Sequence, residues 1–277
     1  KISNLNKQSE PNLENLFRNN KYNKLLFTCL NLERDNKANY RIYNYIGLIY
    51  SLYKKYDLAI HYFIKSLKNK QSCEAFINLA DVHFKNQNHI KSFNYFILAY
   101  KEDINKTLNN SNFIYYLKKI RYSEYSSEIE NIYLTILNKR NFVRPRDFVN
   151  SIISLLTHKK EFKNIKKEFY HNQSSKDIIY KLSKENLFLI LIETVPITDL
   201  SLEKFIISLR KSLLLEKETI VLNDSSKKII EAISLQCFST DYIYNVDEDE
   251  KKVLKNLNLK KTCANLNSNE LNINIAL

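Results

Sequence analysis

The scarcity of glycine is the feature that most restricts how this chain can fold. Of 277 residues, only Gly47 is a glycine, and only Pro11, Pro145 and Pro196 are prolines. Hairpins, bulges and tight strand-to-helix turns depend on glycine and proline for their backbone angles. An all-β or doubly wound fold would use many of each. The composition therefore predicts helices joined by Asn-, Lys- and Ser-rich turns, and a hydrophobic fraction of 44% allows these helices to bury a core.

The same scarcity excludes several kinds of chemistry. Dinucleotide folds and P-loops need several glycines where the backbone approaches phosphate, and one glycine builds neither. The glycine-rich loop that grips S-adenosylmethionine (SAM) in class I methyltransferases is also missing from the sequence. We therefore predict no catalytic, cofactor-binding or metal-binding residue, no cofactor and no enzyme activity for this chain.

Self-similarity at a fixed offset is the strongest pattern in the sequence. Aromatic, apolar and small residues in one segment recur 33 positions later, so that Gly47 is matched by Ala80 and Phe63 by Phe96. These positions resemble the tetratricopeptide repeat (TPR), in which each unit is a pair of helices. The signature residues are Tyr43, Gly47, Tyr50, Ala59 and Phe63 in residues 40–72, and Phe76, Ala80, Ser92, Phe96 and Ala99 in residues 73–105.

This resemblance implies an all-α fold, namely a TPR-type solenoid of antiparallel helix pairs followed by a further helical region. Small residues are expected where two helices approach most closely, with aromatic residues filling the spaces between them. Neighbouring pairs then stack into a superhelix with a concave groove. Weaker pairs extend the array over residues 7–140, and its first helix is expected to begin at Pro11 after a Ser9 cap.

In TPR proteins the first helix of each pair lines the concave face. The resemblance therefore implies a mixed polar and apolar groove that suits a helix or an extended peptide of a protein partner. Some TPRs hold a peptide's terminal carboxylate with a Lys/Asn/Arg clamp, but Asn44 and Leu48 stand where Lys and Asn would be needed. Only Asn78 fits that clamp, which disfavours a chaperone-tail ligand. The expected groove residues are Asn44, Leu48, Ser51, Ile77, Asn78, Asp81 and Phe84.

Three segments follow the repeats. Residues 141–176 are expected to form a helical extension or linker, residues 177–262 a further helical region, and residues 263–277 a truncated tail. Within the second of these, Leu187 to Val195 fits either a buried strand or a short core helix, and the helical context favours the helix. Asp199 or Ser201 is expected to cap the helix that comes next.

A second resemblance covers the region behind the repeats. Arg210-x-x-Leu-Leu is followed by Gln236-Cys237-Phe238 and by Glu248-x-Glu250. This order is similar to bacterial fusions of TPRs with class I SAM-dependent methyltransferases, although the chain lacks the Asn-Glu step that precedes a tyrosine there. In that family the methyltransferase domain lies C-terminal to this region. The resemblance implies that the chain is a fragment, the scaffold and linker half of a larger enzyme, with no activity of its own.

Net charge gives an alternative reading. The chain carries 43 basic and 30 acidic residues, a formal charge of +13, which is compatible with a basic helical-repeat protein that binds RNA. The excess is spread along the sequence, however, with no block of basic residues longer than three. Nucleic acid is therefore disfavoured, and a protein–protein interaction scaffold is the leading prediction.

Targeting signals and thiols point to the cytoplasm. No apolar run is long enough to span a membrane, and no signal peptide can be recognised. Cys29, Cys73, Cys237 and Cys263 are widely spaced and form no Cys-x-x-Cys pair. We expect free, mostly buried thiols in a reducing compartment.

Three further features have both a catalytic and a structural interpretation, and the structural one is favoured for each. Cys237 has no histidine near it in sequence and is expected to pack in the core. His83 occupies a position where a TPR usually has tyrosine, so it is expected at the edge of the core. The acids 247–250 are expected to form a solvated turn that opens a helix, where the helix dipole favours them.

Overall fold

The computed structural model describes residues 13–139, 144–171, 175–215, 223–240 and 244–261. Over these ranges the chain is all-α and contains no strand. Ser9, Pro11, Cys263 and the segment 263–277 lie outside the described residues. The chain divides into two compact units, of which the first ends at Tyr116 and the second begins at Leu117.

The first unit is a TPR-like solenoid of helix pairs, as the sequence predicts. From the first helix to the seventh, each packs against the next along the chain. Two central pairs cover residues 40–69 and 73–102. Each helix of the second of these pairs begins and ends 33 positions after the matching helix of the first, which is the offset found in the sequence. The helices are α1 (Leu13–Arg18), α2 (Tyr22–Arg34), α3 (Tyr40–Leu52), α4 (Tyr56–Asn69), α5 (Cys73–Lys85), α6 (His89–Glu102), the short α7 (Ile104–Leu108) and α8 (Ser111–Lys119), which crosses into the second unit.

Gly47 lies where α3 and α4 approach each other. A Cβ atom added at Gly47 would lie 2.6 Å from Cε1 and 2.7 Å from Cδ1 of Phe63. The Phe63 ring is completely buried against Ala59, Leu79 and Val82, so it has little room to withdraw. The single glycine of the chain is therefore required by packing and not by backbone angle.

Residues other than glycine supply the left-handed backbone that ends the helices. The φ angle is positive at Asn20 (57°), Asn36 (56°), Lys54 (60°) and Gln87 (60°), each of which follows the end of a helix. After α3, Lys55 N–H donates to the Tyr50 carbonyl (2.9 Å) and Lys54 N–H to the Ser51 carbonyl (3.1 Å), which is the Schellman arrangement. The other three helix ends have the same pair of bonds. Scarce glycine therefore leaves two of these turns with a strained Lys or Gln.

We expect glycine at these two positions to stabilise the protein. Lys54→Gly and Gln87→Gly should each raise the free energy of unfolding by about 1 kcal/mol, because a side chain in the left-handed region is strained and glycine is not. Asn36→Gly is the matched control and should gain less, since asparagine tolerates this region better than lysine or glutamine. Urea denaturation followed by circular dichroism measures all three. Destabilisation by both substitutions would contradict the strained-turn interpretation.

The second unit is also helical, and helix α13 (Asn186–Thr194) lies in its core. Five residues of α13 are buried, among them Leu187 and Ile192. The helix packs against α9 (Ser127–Asn138), α10 (Val149–Leu156) and α15 (Asp224–Ser239). The ambiguous stretch is thus a helix, as predicted. Asp199, and not Ser201, caps the next helix by accepting a bond from Leu202 N–H (2.8 Å). The elements are α9 (Ser127–Asn138), a 3₁₀ turn (Pro145–Phe148), α10 (Val149–Leu156), α11 (Lys160–Tyr170), α12 (Ser175–Leu182), α13 (Asn186–Thr194), α14 (Leu200–Leu215), α15 (Asp224–Ser239) and α16 (Glu248–Lys261).

Candidate functional site

Polar side chains connect the first helices of successive pairs. The Asn78 amide of α5 donates to Oδ1 of Asn44 on α3 (2.9 Å), and Lys85 at the end of α5 reaches Ser51 at the end of α3 (3.5 Å). The next step joins α5 to the start of α8. There, Asp81 accepts from Asn112 (2.9 Å) and from Asn110, whose amide lies 3.1 and 3.3 Å from the two carboxylate oxygens. We call these seven residues the polar ladder.

Several of the predicted groove residues are already engaged in contacts within the fold. Asn44 and Ser51 are buried, at 9% and 6% exposure, and both already bond to α5. Leu48 is half-buried against the cluster around Phe63, and Ile77 is half-buried against the cluster around Phe76. These four residues therefore help to hold neighbouring pairs together, and a partner would meet mainly the residues beside them.

An aromatic edge lies beside the ladder. Phe84 of α5 packs edge-on against Tyr115 of α8, with ring centroids 6.0 Å apart, and against His89 of α6 at 5.5 Å. Tyr115 is 54% exposed, whereas Phe84 is half-buried. We call Phe84, His89 and Tyr115 the aromatic edge. It offers a partner an apolar surface next to hydrogen-bonding groups, the combination found in many peptide sites.

Sequence reasoning missed five residues of this face: Lys85, His89, Asn110, Asn112 and Tyr115. The segment that contains α8 lacks the small signature residues, so its register could not be aligned with residues 40–72 and 73–105. The short α7 adds a further turn between α6 and α8 that no repeat position predicts. An available signal was the sequence Asn110-Ser-Asn112, since asparagine is common at the start of a helix.

Asp81 carries the negative charge of the ladder. Burial raises the pKa of its carboxyl group; the Asn112 and Asn110 amides and the Lys85 ammonium group oppose that rise but do not cancel it. Because its oxygens already accept bonds from both asparagines, Asp81 orients α8 on α5. The carboxylate is a structural acceptor in this setting, and its charge would also favour a cationic group on a ligand.

His83 is buried behind the aromatic edge. It is 5% exposed and stacks on Tyr95 with ring centroids 5.4 Å apart and an interplanar angle of 5°. Among the described residues its Nδ1 atom has no hydrogen-bond partner. Burial, and then the nearby Lys91 charge, lower the pKa of His83. The imidazole therefore packs as a neutral aromatic ring, in place of the expected tyrosine.

We expect the depressed pKa of His83 to make the protein sensitive to acid. The unfolded chain binds the proton more readily than the folded one, so the stability due to neutral His83 is lost as pH falls below about 6.5. His83→Phe should reduce the loss of stability between about pH 7 and about pH 5. Exposed His61→Phe is the matched control and should leave that loss unchanged. Urea midpoints at the two pH values test this, and an unchanged slope in His83→Phe would contradict it.

Thiols and acids form no further site in the part of the chain that the structure describes. Cys29, Cys73 and Cys237 are free and buried, as expected, and burial raises the pKa of Cys29 to about 12. The described side chains include no group of three or more His, Cys, Asp or Glu residues that could hold a metal ion. Over the same residues, no helix is both long and apolar enough to cross a membrane.

The block Gln236-Cys237 in the second unit has a packing role. The Gln236 amide is completely buried; its nitrogen donates to the carbonyls of Ile192 (2.8 Å) and Val195 (2.9 Å), and its oxygen accepts from Ile197 N–H (2.9 Å). These bonds hold the turn between α13 and α14 against α15. Cys237 is 3% exposed in the same core, which agrees with the packing interpretation.

The acidic run at the start of α16 is only partly solvated, which corrects the sequence prediction. Asp247, Glu248 and Asp249 are exposed, but Glu250 is 2% exposed and forms an ion pair with Arg210 of α14 (2.6 Å). Burying a carboxylate is favourable only with such a partner. Sequence reasoning missed the pair because its members are 40 residues apart.

The helix pairs of the first unit define the class of fold: an α-helical repeat with TPR-like packing. No protein-family model matches the chain, and no curated protein matches it either. Among solved structures, the C-terminal part of a TPR repeat-containing protein from Cytophaga hutchinsonii is similar at 14% identity, over 94% of this chain and 97% of that one, with a TM-score of 0.34. At these values the likeness establishes neither a family nor a shared arrangement of the whole chain.

Proposed function

We propose that the chain is a protein-interaction scaffold that binds a segment of another protein along α3, α5 and α8. The observation that carries this proposal is the polar ladder with the aromatic edge beside it. The ladder fixes the three helices side by side, so Asn78, Asp81 and Tyr115 keep a constant spacing. A rigid row of amide, carboxylate and aromatic groups suits a helix or an extended peptide, because little conformational entropy is lost on binding.

Peptide selection followed by matched substitutions tests this proposal. Peptides selected from a displayed random library on the full chain should bind Tyr115→Ala at least about ten-fold more weakly, a difference of about 1.4 kcal/mol. Phe27→Ala is the control, because Phe27 is 68% exposed but lies on α2, the second helix of its pair. The proposal is wrong if the selected peptides bind Tyr115→Ala and wild type equally well, or if Phe27→Ala weakens them instead.

We further propose, from the resemblance in sequence around residues 196–250, that the scaffold serves a SAM-dependent methyltransferase. The scaffold would then recruit or orient a protein substrate for methylation. Sequencing of the complete reading frame is the test, with a strand followed by a glycine-rich loop expected beyond residue 277. A reading frame that lacks such a loop would remove the methyltransferase link and leave the scaffold proposal intact.

The net charge of +13 is the observation that favours an RNA-binding alternative. That alternative requires basic residues along the proposed binding helices, where α3 and α5 contribute Arg41 and Lys85 and α8 contributes Lys118 and Lys119. Lys85 is already engaged with Ser51. Binding of single-stranded RNA that weakens steeply with salt would favour this function.

A further inference from the structure

The start of helix α16 is attached to α14 through charge. Of residues 248–255, whose side chains the structure describes, only Glu250 is buried. Val253 and Leu254 are half-buried, and the other five side chains are exposed. The helix packs mainly on α14. A helix that is held by packing normally buries an apolar stripe, so over residues 248–255 the attachment depends mainly on Glu250.

Two basic residues of α14 bind the start of α16 through hydrogen bonds and ion pairs. Nη2 of Arg210 bonds to Oε1 of Glu250 (2.6 Å) and to the carbonyl of Asn245 (3.1 Å). Lys211, the next residue, is ion-paired with Asp247. The Arg210 side chain is 7% exposed, so its charge is largely removed from water. The surface on α14 is therefore built to accept carboxylates at the start of a helix.

The fit between Arg210 and Glu250 is incomplete. Oε2 of Glu250 accepts from Asp247 N–H (3.0 Å), while Oδ1 of Asp247 accepts from Glu250 N–H (3.0 Å); this is the reciprocal capping box of a helix start. Glu250 bonds to Arg210 through Oε1, while Oε2 is used in the capping box. Nε of Arg210 is buried and has no partner among the described residues. A carboxylate that bonds to both nitrogens would form the stronger, forked pair.

We propose that α16 is a detachable strap, and that the α14 surface beneath it binds the acidic first turn of a helix from a partner protein. The strap itself shows the chemistry that is recognised: a helix whose first turn carries Asp or Glu above Arg210 and Lys211. A partner carboxylate that is free of a capping bond can use both Nε and Nη2 of Arg210. The additional hydrogen bond to Nε would strengthen the binding of the partner. It would offset the competition from α16, which has a high local concentration because it belongs to the same chain.

A fluorescent peptide that spans residues 244–261 is the probe, titrated into the full chain and followed by anisotropy. Glu250→Gln in the protein keeps an oxygen for the capping bond but removes the charge that Arg210 needs. The labelled wild-type peptide should bind this variant at least about ten-fold more tightly than it binds wild-type protein. A peptide that itself carries Glu250→Gln is the matched control and should bind at least about ten-fold more weakly. Adding Lys211→Ala to the Glu250→Gln protein should weaken its binding of the wild-type peptide, because the partner of Asp247 is removed.

Hydrogen exchange on wild-type protein gives a second, mutation-free measurement. Amides of α16 should exchange faster than those of α15, and faster still at about 1 M salt than at about 0.1 M, because salt screens the ion pairs. The proposal is overturned if a folded Glu250→Gln variant does not bind the peptide. It is overturned equally if α16 exchanges as slowly as α15 at both salt concentrations. The site lies in the second unit, so either outcome is independent of binding at α3, α5 and α8.

Discussion

Gly47→Ala should lower the free energy of unfolding by about 1–3 kcal/mol, the usual range for forcing extra atoms into a packed site. Alanine is the better helix former by about 1 kcal/mol, so an exposed position in the middle of a helix would gain from the same change. Here the new Cβ would lie 2.6 Å from the Phe63 ring, which is completely buried and closely surrounded. The clash therefore outweighs propensity, and urea denaturation of the full chain measures the difference.

A double-mutant cycle identifies the Phe63 ring as the cause. Phe63→Leu alone loses part of a buried ring, but in the presence of Gly47→Ala it also makes room for the new methyl group. The two changes together should therefore be less destabilising than the sum of the two separately, by about 1 kcal/mol. Ala80→Gly, at the matching position of the next pair, is the comparison and should destabilise by about 1 kcal/mol through helix propensity. A stabilising Gly47→Ala would show that α3 and α4 do not meet at this residue.

Lys159→Met should have a larger effect, lowering the free energy of unfolding by about 3–5 kcal/mol. Lys159 lies between Glu130 (3.0 Å) and Glu185 (2.7 Å), and all three side chains are no more than 13% exposed. Burial alone would lower the pKa of Lys159, but bonds to Glu185 and Glu130 outweigh it and the net direction is upward. Methionine would leave two carboxylates buried without their cation, together with Tyr125, whose pKa is raised to about 12 by burial and by its bond to Glu130.

Two comparisons separate the ion pairs from packing. Lys163→Met changes an exposed lysine of α11 and should alter the free energy of unfolding by less than about 0.5 kcal/mol. Adding Glu130→Leu and Glu185→Leu to Lys159→Met should restore most of the lost stability, since a buried ion pair replaced by apolar groups is often neutral. If Lys159→Met and Lys163→Met have equal effects, the three charges do not form a stabilising cluster.

The parts of the fold that follow from local rules could be predicted from sequence. Gly47 and Ala80 are small because a helix must approach there, and such a requirement recurs once per pair. The offset of 33 therefore appears both in the residues and in the helix boundaries. The turn residues Lys54 and Gln87 could not be predicted as left-handed, because neither residue type favours that conformation.

Ion pairs between residues far apart in the chain could not be predicted from the sequence. The acids 247–250 were expected in solvent, yet Glu250 is buried because Arg210 lies opposite it. Similarly, Glu130, Lys159 and Glu185 come from three separate parts of the chain, and nothing in the local sequence distinguishes them from exposed charges. The groove also includes Tyr115 and Asn112 of α8, a segment in which the signature residues are absent. A periodic pattern reports which residues face a helix neighbour, but it does not report which charges meet across the fold.

Photo-crosslinking at the aromatic edge is the most direct test of the scaffold account. The photoreactive amino acid p-benzoylphenylalanine would replace Tyr115 in one full-length protein and Phe27 in another, each mixed with a peptide selected on wild type. The account predicts that adducts with the peptide form at position 115 and not at position 27. Adducts at position 27 alone, or none at position 115 with a peptide that still binds, would contradict it.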